Sequence, residues 1–243
     1  TKIQRKMPIA WGPEAASDGL VMCLDAANPK SNKAPGTGWY NVGSLGKWDY
    51  VSKSQGSPTL GVKGGAQCIV FPNAIGTRYQ SSPPGFQSPA ATMTMEAWIY
   101  PEANATGSTA SRMNIFRANS GGSRAYMSYN VGNNRLSSYW YNSSPAGYHE
   151  TVSFAPGRNV WQHFVAAWDG TTLRQYVNYE NQGSVSTNSA SSTFGTEIQI
   201  GYEPCCGQRQ FVGGIAMIRL YNRALSDAEV FNNFSSTKGR FGF

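Results

Sequence analysis

The chain is short of acidic residues, with 13 Asp and Glu against 20 Lys and Arg among 243 residues, and its formal net charge is +7. A basic balance favours polyanionic partners such as acidic glycans, lipopolysaccharide or nucleic acid. The basic residues are scattered, however, which predicts a solvated basic surface and argues against a specific nucleic-acid interface. They cluster only near the two termini, at Lys2, Arg5, Lys6, Lys238 and Arg240.

Long apolar runs are also missing, and cysteine is scarce. No run approaches about 20 residues, so we expect neither a transmembrane helix nor a signal peptide. The four cysteines, Cys23, Cys68, Cys205 and Cys206, lack the Cys-x-x-Cys spacing of zinc sites. Cys23 and Cys68 lie in apolar, strand-like runs, which favours free buried thiols. A pairing with Cys205 and Cys206 stays open, because the sequence fixes no connectivity.

Many short runs of apolar and aromatic residues alternate with Gly, Asn and Pro turn signals, a pattern typical of β-sandwiches. The clearest strand runs from Thr92 to Tyr100 and is closed by Pro101. Large side chains occur at both the odd and the even positions, so both faces of this strand are expected to be covered. We therefore predict an all-β, antiparallel two-sheet sandwich over residues 18–234. An extended arm is predicted over residues 1–17, and a tail over residues 235–243.

Near the C-terminus, the sequence carries the start signal of one short helix. Ser226 is suited to the N-cap, and Glu229 three residues later completes a capping box. Leu225 and Val230 match the hydrophobic staple. We expect this C-terminal helix to lie across one end of the sandwich, with a structural role.

Several segments carry a family resemblance. They are Glu96–Pro101, Trp161–Gly170, Thr172–Asn178, Ile200–Tyr202, Phe211–Ala216 and Arg219–Glu229. In order and spacing they resemble the laminin-G-like, concanavalin A-like jelly roll of many secreted and phage-encoded proteins. The resemblance implies the same jelly roll from about Gly19 to Phe234. One departure is Tyr179-Glu180-Asn181, at a turn where the family usually has a glycine.

The segments Leu24–Ser31 and Asn232–Phe241 resemble parts of such domains in structural proteins of tailed phages of cyanobacteria. This resemblance implies a non-enzymatic virion protein that decorates a phage capsid or tail, made in the host cytoplasm and carried on the virion surface. Its expected partners are other virion proteins and further copies of itself, with the basic termini as assembly arms. Thr1 fits removal of an initiator methionine, although an artificial chain boundary would look the same. The alternative is a lectin-like host-surface adhesin that recognises polysaccharide.

A glycoside hydrolase is the third hypothesis, because jelly rolls of this type also host such enzymes. These enzymes need two carboxylates roughly 5–10 Å apart. Glu96 lies on a suitable strand, but its same-face neighbours carry no acid, and Glu102 lies beyond Pro101. His149 and His163 have no nucleophile motif nearby. We therefore expect no enzymatic activity.

Binding residues are predicted on loops and strand ends. Exposed aromatic side chains next to Asn, Gln or Arg in loops are typical of glycan-binding sites. Aromatic side chains in β-sandwiches, however, more often belong to the core. Two groups are candidates: Trp140 with Tyr139, Tyr141 and Asn142, and Trp39 with Tyr40 and Trp48. No cofactor is expected. Calcium, which takes several oxygen ligands, has Asp25 as its one weak candidate, and Asp169 is expected to shape a turn.

Overall fold

The structure is a computed structural model that describes residues 13–32, 38–43, 49–52, 58–81, 92–102, 111–120, 123–143, 146–187, 197–204 and 208–243. Lys2, Arg5, Lys6, Trp48, Cys205 and Cys206 therefore lie outside the described residues. The described part contains sixteen strands, one α-helix and one 3-10 turn. The strands are β1 (Leu20–Asp25), β2 (Gly38–Tyr40), β3 (Asp49–Ser52), β4 (Thr59–Lys63), β5 (Ala66–Phe71), β6 (Tyr79–Ser81), β7 (Met93–Pro101), β8 (Arg112–Ser120), β9 (Ser123–Asn130), β10 (Arg135–Ser143), β11 (Ala146–Phe154), β12 (Gln162–Trp168), β13 (Thr172–Val177), β14 (Glu180–Ser186), β15 (Glu197–Ile200) and β16 (Gly213–Tyr221). Helix α1 spans Asp227–Thr237, and the 3-10 turn spans Lys238–Arg240.

The strands form two sheets, each of eight strands, with antiparallel pairing throughout the described ladders. The first sheet has the order β14-β13-β12-β7-β16-β5-β4, with β1 also paired to β16. The second has the order β11-β10-β9-β8-β15-β6-β3-β2. The predicted all-β two-sheet sandwich is confirmed.

The main core lies between the two sheets. Strand β7 sends Met95, Ala97 and Ile99 into it, while Trp98 points to the opposite face of the first sheet. Across the core, the rings of Trp140 and Trp168 lie 3.7 Å apart between centroids. Strand β7 therefore needs apolar side chains on both faces, which explains its imperfect alternation.

The helix covers the outer face of the first sheet. The expectation that it lies across one end of the sandwich is therefore wrong. Its capping box is present as predicted, with Glu229 N–H donating to Ser226 Oγ and Ser226 N–H donating to Glu229. The outer face is apolar around Trp98, and Phe234 of the helix stacks on that ring at 5.6 Å. Burial of this face fixes the helix position, because an apolar sheet face exposed to water is unfavourable. No helix among the described residues is long and apolar enough to cross a bilayer.

The residues predicted as a separate tail pack onto the same face. Helix α1 continues to Thr237, so the predicted boundary at Phe234 falls inside it. Phe241 is buried and stacks on Trp98, with ring centroids 4.0 Å apart and planes 16° apart. Residues 235–243 are therefore part of the folded domain, because the sheet supplies an aromatic surface for Phe241.

The two described cysteines have free thiols, as predicted. Burial raises the pKa of the Cys23 thiol, and it raises that of Cys68 to about 12. A thiol held in its neutral form is a poor nucleophile. Cys68 packs as a small apolar side chain beside Trp98, whereas the half-buried Cys23 lies within hydrogen-bonding reach of Arg219.

Candidate binding cleft

A buried polar network lies between the first sheet and helix α1, and it includes the one carboxylate that had been a catalytic candidate. Glu96 Oε1 accepts hydrogen bonds from Arg219 Nη1 at 2.9 Å and from His163 Nε2 at 3.0 Å. Glu96 Oε2 accepts one from Asn233 Nδ2 at 2.6 Å. Tyr221 continues the network through a 3.0 Å contact between its hydroxyl and Asn233 Nδ2. These side chains come from three neighbouring strands and the helix.

This environment removes Glu96 from consideration as an acid catalyst. Burial acts to raise the pKa of Glu96, but the charge of Arg219, with hydrogen bonds from His163 and Asn233, lowers it to about 2. A glycosidase general acid needs a raised pKa and access to the glycosidic oxygen. Glu96 has neither property. Its pKa is lowered, and its side chain is 1% exposed and hydrogen-bonded to Arg219, His163 and Asn233. Its role is to join the helix to the sheet.

The aromatic rings predicted to bind glycans are mostly inside the protein, which corrects the prediction for three of them. Trp39 and Trp140 belong to the main core. Tyr139 is also buried, beneath the Arg112 guanidinium, which lies 4.6 Å from its ring centroid. Strand β10 alternates strictly, so burying Leu136 and Trp140 in the core places Tyr139 on the other face.

The other members of those two groups remain predictions. Tyr40 and Tyr141 are half-buried. The side chain of Asn142 is outside the described part of the structure, as is Trp48.

Asp25, the calcium candidate, pairs with an arginine instead. Arg240 donates to both carboxylate oxygens, from Nη1 at 3.0 Å and from Nη2 at 2.8 Å. In the described residues, the His, Cys, Asp and Glu side chains form no group of three that could hold a metal ion. Arg240, predicted to reach a neighbouring subunit, is therefore engaged within its own domain. Lys238 lies over the ring of Phe234, with its ammonium 5.8 Å from the centroid.

An open aromatic cleft of about 420 Å³ lies beside the β13–β14 turn. Phe154 is 71% exposed, Phe243 is 50% exposed and Tyr179 is 39% exposed. Large exposed apolar side chains that cluster are typical of binding surfaces. The cleft is lined by Phe154, Ala155, Pro156, Val177, Asn178, Tyr179, Glu180, Gln182, Phe234 and Phe243.

The turn that shapes this cleft is strained. Asn178 and Tyr179 both have positive φ, 51° and 69°, as the two central residues of a type I′ hairpin require. Asparagine tolerates this conformation, whereas a tyrosine in it costs roughly 1–2 kcal/mol. The Tyr179 ring packs against Phe234, at 4.9 Å between centroids, and against Phe231 at 5.4 Å. The turn thus keeps a two-residue shape without the expected glycine, and the tyrosine forms one wall of the cleft.

A second, more polar groove of about 250 Å³ adjoins the cleft between strands β11 and β14. We call it the edge groove, and Gln182 lines both it and the aromatic cleft. Behind it, Gln175 is saturated: its Oε1 accepts from Ser138 and Thr151, and its Nε2 donates to Leu136 O and Ser153. The edge groove is lined by Glu150, Thr151, Val152, Gln175, Gln182, Gly183, Ser184 and Val185.

Sequence reasoning did not identify the aromatic cleft. Its walls come from the end of β11, the β13–β14 turn, helix α1 and the last residue of the chain. One local signal could have indicated it, namely Tyr179 at a turn position usually occupied by glycine, but the sequence related this departure only to the shape of the turn. The grouping of these segments depends on sheet order and on the helix position, which no local pattern contains.

Comparison with known proteins places the chain among sandwich domains. A family model described as the concanavalin A-like lectin/glucanases superfamily, of laminin-G type, matches residues 74–231. No curated protein sequence gives a significant match.

Three similar solved structures are binding domains, two of botulinum neurotoxins and one of a mosquitocidal protein. The botulinum neurotoxin serotype G binding domain has a TM-score of 0.66 at 12% identity, covering 88% of this chain and 50% of that one. The serotype D ligand binding domain, solved with N-acetylneuraminic acid, has a TM-score of 0.67 at 11% identity, with coverages of 90% and 51%. The binding domain of Paraclostridial Mosquitocidal Protein 1 has a TM-score of 0.67 at 14% identity, with coverages of 90% and 52%.

These identities show a shared fold, and the chain spans about half the length of each structure. The matched family region covers more than half of the 243 residues and includes strands from both sheets. The chain therefore belongs to the concanavalin A-like lectin/glucanases superfamily.

Proposed function

We propose that this chain is a non-enzymatic, lectin-like module that binds glycans through the aromatic cleft and is displayed on the surface of a phage particle. The observation that carries the glycan-binding part is the open cleft with Phe154, Tyr179 and Phe243 around polar edges at Glu180 and Gln182. A sugar ring has flat C–H faces and a rim of hydroxyl groups. Aromatic faces suit the former, and a few placed polar groups suit the latter.

Two further observations support binding without catalysis. The three solved structures with similar folds are binding domains, and one of them is a complex with N-acetylneuraminic acid. Glu96, the carboxylate on the strand where a hydrolase would need one, is buried and paired with Arg219. A carboxylate in that state can neither protonate a leaving group nor attack a sugar.

The phage-surface part of the proposal rests on the resemblance of Leu24–Ser31 and Asn232–Phe241 to virion proteins. A glycan-binding module on a particle can decorate it and also tether it to a host surface, so decoration and adhesion are compatible. Self-association and contact with other virion proteins belong to the same proposal. Mass spectrometry of purified phage particles, with a binding assay on empty capsids, tests this part. Tight capsid binding without any glycan binding would favour a purely structural role.

Glycan binding is tested on a glycan array with the full chain and three alanine variants. Phe154→Ala should abolish binding, because it removes the most exposed ring of the cleft. Val62→Ala is the matched control: Val62 is an exposed apolar residue on β4, at the opposite edge of the first sheet. Tyr148→Ala tests the aromatic surface beside Tyr141, its register partner. Loss of binding in Tyr148→Ala but not in Phe154→Ala would move the site to that surface.

A further inference from the structure

We infer that the aromatic cleft and the edge groove form one channel for an uncharged, linear polysaccharide bound over several consecutive sugar units. This inference rests on the proposed glycan-binding function and specifies its ligand class. It follows from the continuity of the two depressions, the character of the strand edges and the charges that line the channel.

The two depressions are continuous along the same pair of strands. Gln182 lines both, and β11 leads from Glu150 in the edge groove to Phe154 in the aromatic cleft. At about 3.4 Å per residue, these four steps span about 14 Å. A single sugar ring would fill one depression and leave the other empty, whereas an extended chain would occupy both.

The walls of the edge groove offer hydrogen-bonding groups at regular intervals. Strands β11 and β14 end the two sheets among the described strands. An edge strand presents a row of backbone N–H and C=O groups to its surroundings. Ser184 adds an exposed hydroxyl on β14. Regularly spaced donors and acceptors suit the repeating hydroxyls of a linear glycan.

The charge of the channel opposes the charge of the whole chain. The net charge of the whole chain is +7. The lining of the channel, however, contains the carboxylates of Glu150 and Glu180 and, among the described residues, no lysine or arginine. Glu150 is paired with Arg112 at 3.3 Å, so Glu180 is left to act on a ligand. Arg135 packs on the Phe154 ring at 4.9 Å but lines neither depression. A carboxylate accepts hydrogen bonds from sugar hydroxyls and repels sialic or uronic acids.

The test is calorimetric titration with cello-, laminari- and malto-oligosaccharides of one to six units, together with lactose and 3′-sialyllactose. We expect the affinity for at least one neutral series to rise tenfold or more with length, and 3′-sialyllactose to bind no better than lactose. Ser184→Trp, which would fill the edge groove, should remove the gain with length. Ser186→Trp is the matched control, since Ser186 is exposed on the same strand and lies outside the lining.

The outcomes separate this inference from the proposed function. If binding depends on Phe154 but is independent of chain length and of Ser184→Trp, the single-channel inference is wrong and glycan binding stands. Preference for 3′-sialyllactose over lactose, again dependent on Phe154, also overturns the inference alone. If none of these sugars binds, both ideas fail.

Discussion

Replacing Glu96 with glutamine tests whether this buried carboxylate serves stability. The substitution keeps the shape of the side chain and removes its charge, which leaves Arg219 buried without a counter-charge. Breaking one partner of a buried ion pair costs roughly 3–5 kcal/mol. For a chain of this size each kcal/mol shifts Tm by about 2–4 °C, so Glu96→Gln should lower Tm by roughly 6–20 °C.

The pH dependence gives an independent estimate. The pKa of Glu96 is lowered from 4.5 to about 2 on folding, so its stabilisation is fully present above about pH 4.5 and is lost as pH falls towards 2. At 1.36 kcal/mol per pKa unit, the contribution is about 3 kcal/mol. The difference in unfolding free energy between wild type and Glu96→Gln should therefore be large at pH 7 and shrink on acidification, because wild-type Glu96 then also becomes neutral.

The assay is urea unfolding of wild type, Glu96→Gln and a control at pH 7, 5 and 3. Glu102→Gln is the control, because Glu102 forms a partly exposed 2.6 Å pair with Lys63, worth about 1 kcal/mol or less. The double variant Glu96→Gln with Arg219→Met should recover part of the loss, since the buried charge is gone. A Glu96→Gln variant within about 1 kcal/mol of wild type at pH 7, or a gap that does not change with pH, would refute this reasoning.

Three further predictions concern the turn, the helix and the proposed metal. Tyr179→Gly should be about 1 kcal/mol more stable to urea than Tyr179→Ala, because only glycine adopts the positive φ without strain. Both variants should lose glycan binding to the same extent. Equal stabilities of the two variants would contradict the proposed strain. Ser226→Ala should lower stability by about 1 kcal/mol through loss of the helix cap, measured as a Tm shift against Ser236→Ala, and an unchanged Tm would count against the cap. Millimolar calcium or EDTA should leave Tm unchanged, because Arg240 occupies the Asp25 carboxylate; a rise in Tm with calcium would restore the predicted site.

The features that the sequence predicted correctly depend on residues close together in the chain. The capping box joins Ser226 to Glu229, three residues away. The apolar runs and Gly/Asn turns that indicated a sandwich likewise act over a few residues at a time. These signals specify elements and their approximate bounds, because their physics is local.

The features that it missed depend on contacts between distant residues. Glu96 meets His163, Arg219 and Asn233 across separations of 67, 123 and 137 residues. Strand periodicity shows that Trp140 alternates with Tyr139, but it does not show that both faces of β10 are covered.

The sequence by itself therefore determined the sandwich and the capped helix, whereas the free thiols of Cys23 and Cys68 were settled by the structure. Only the tertiary structure decided which face the helix covers, which aromatic rings stay accessible and where a cleft opens. The physical reason is that burial depends on what packs above each side chain, and in this protein those neighbours come from other strands and from the C-terminal helix, outside the local sequence.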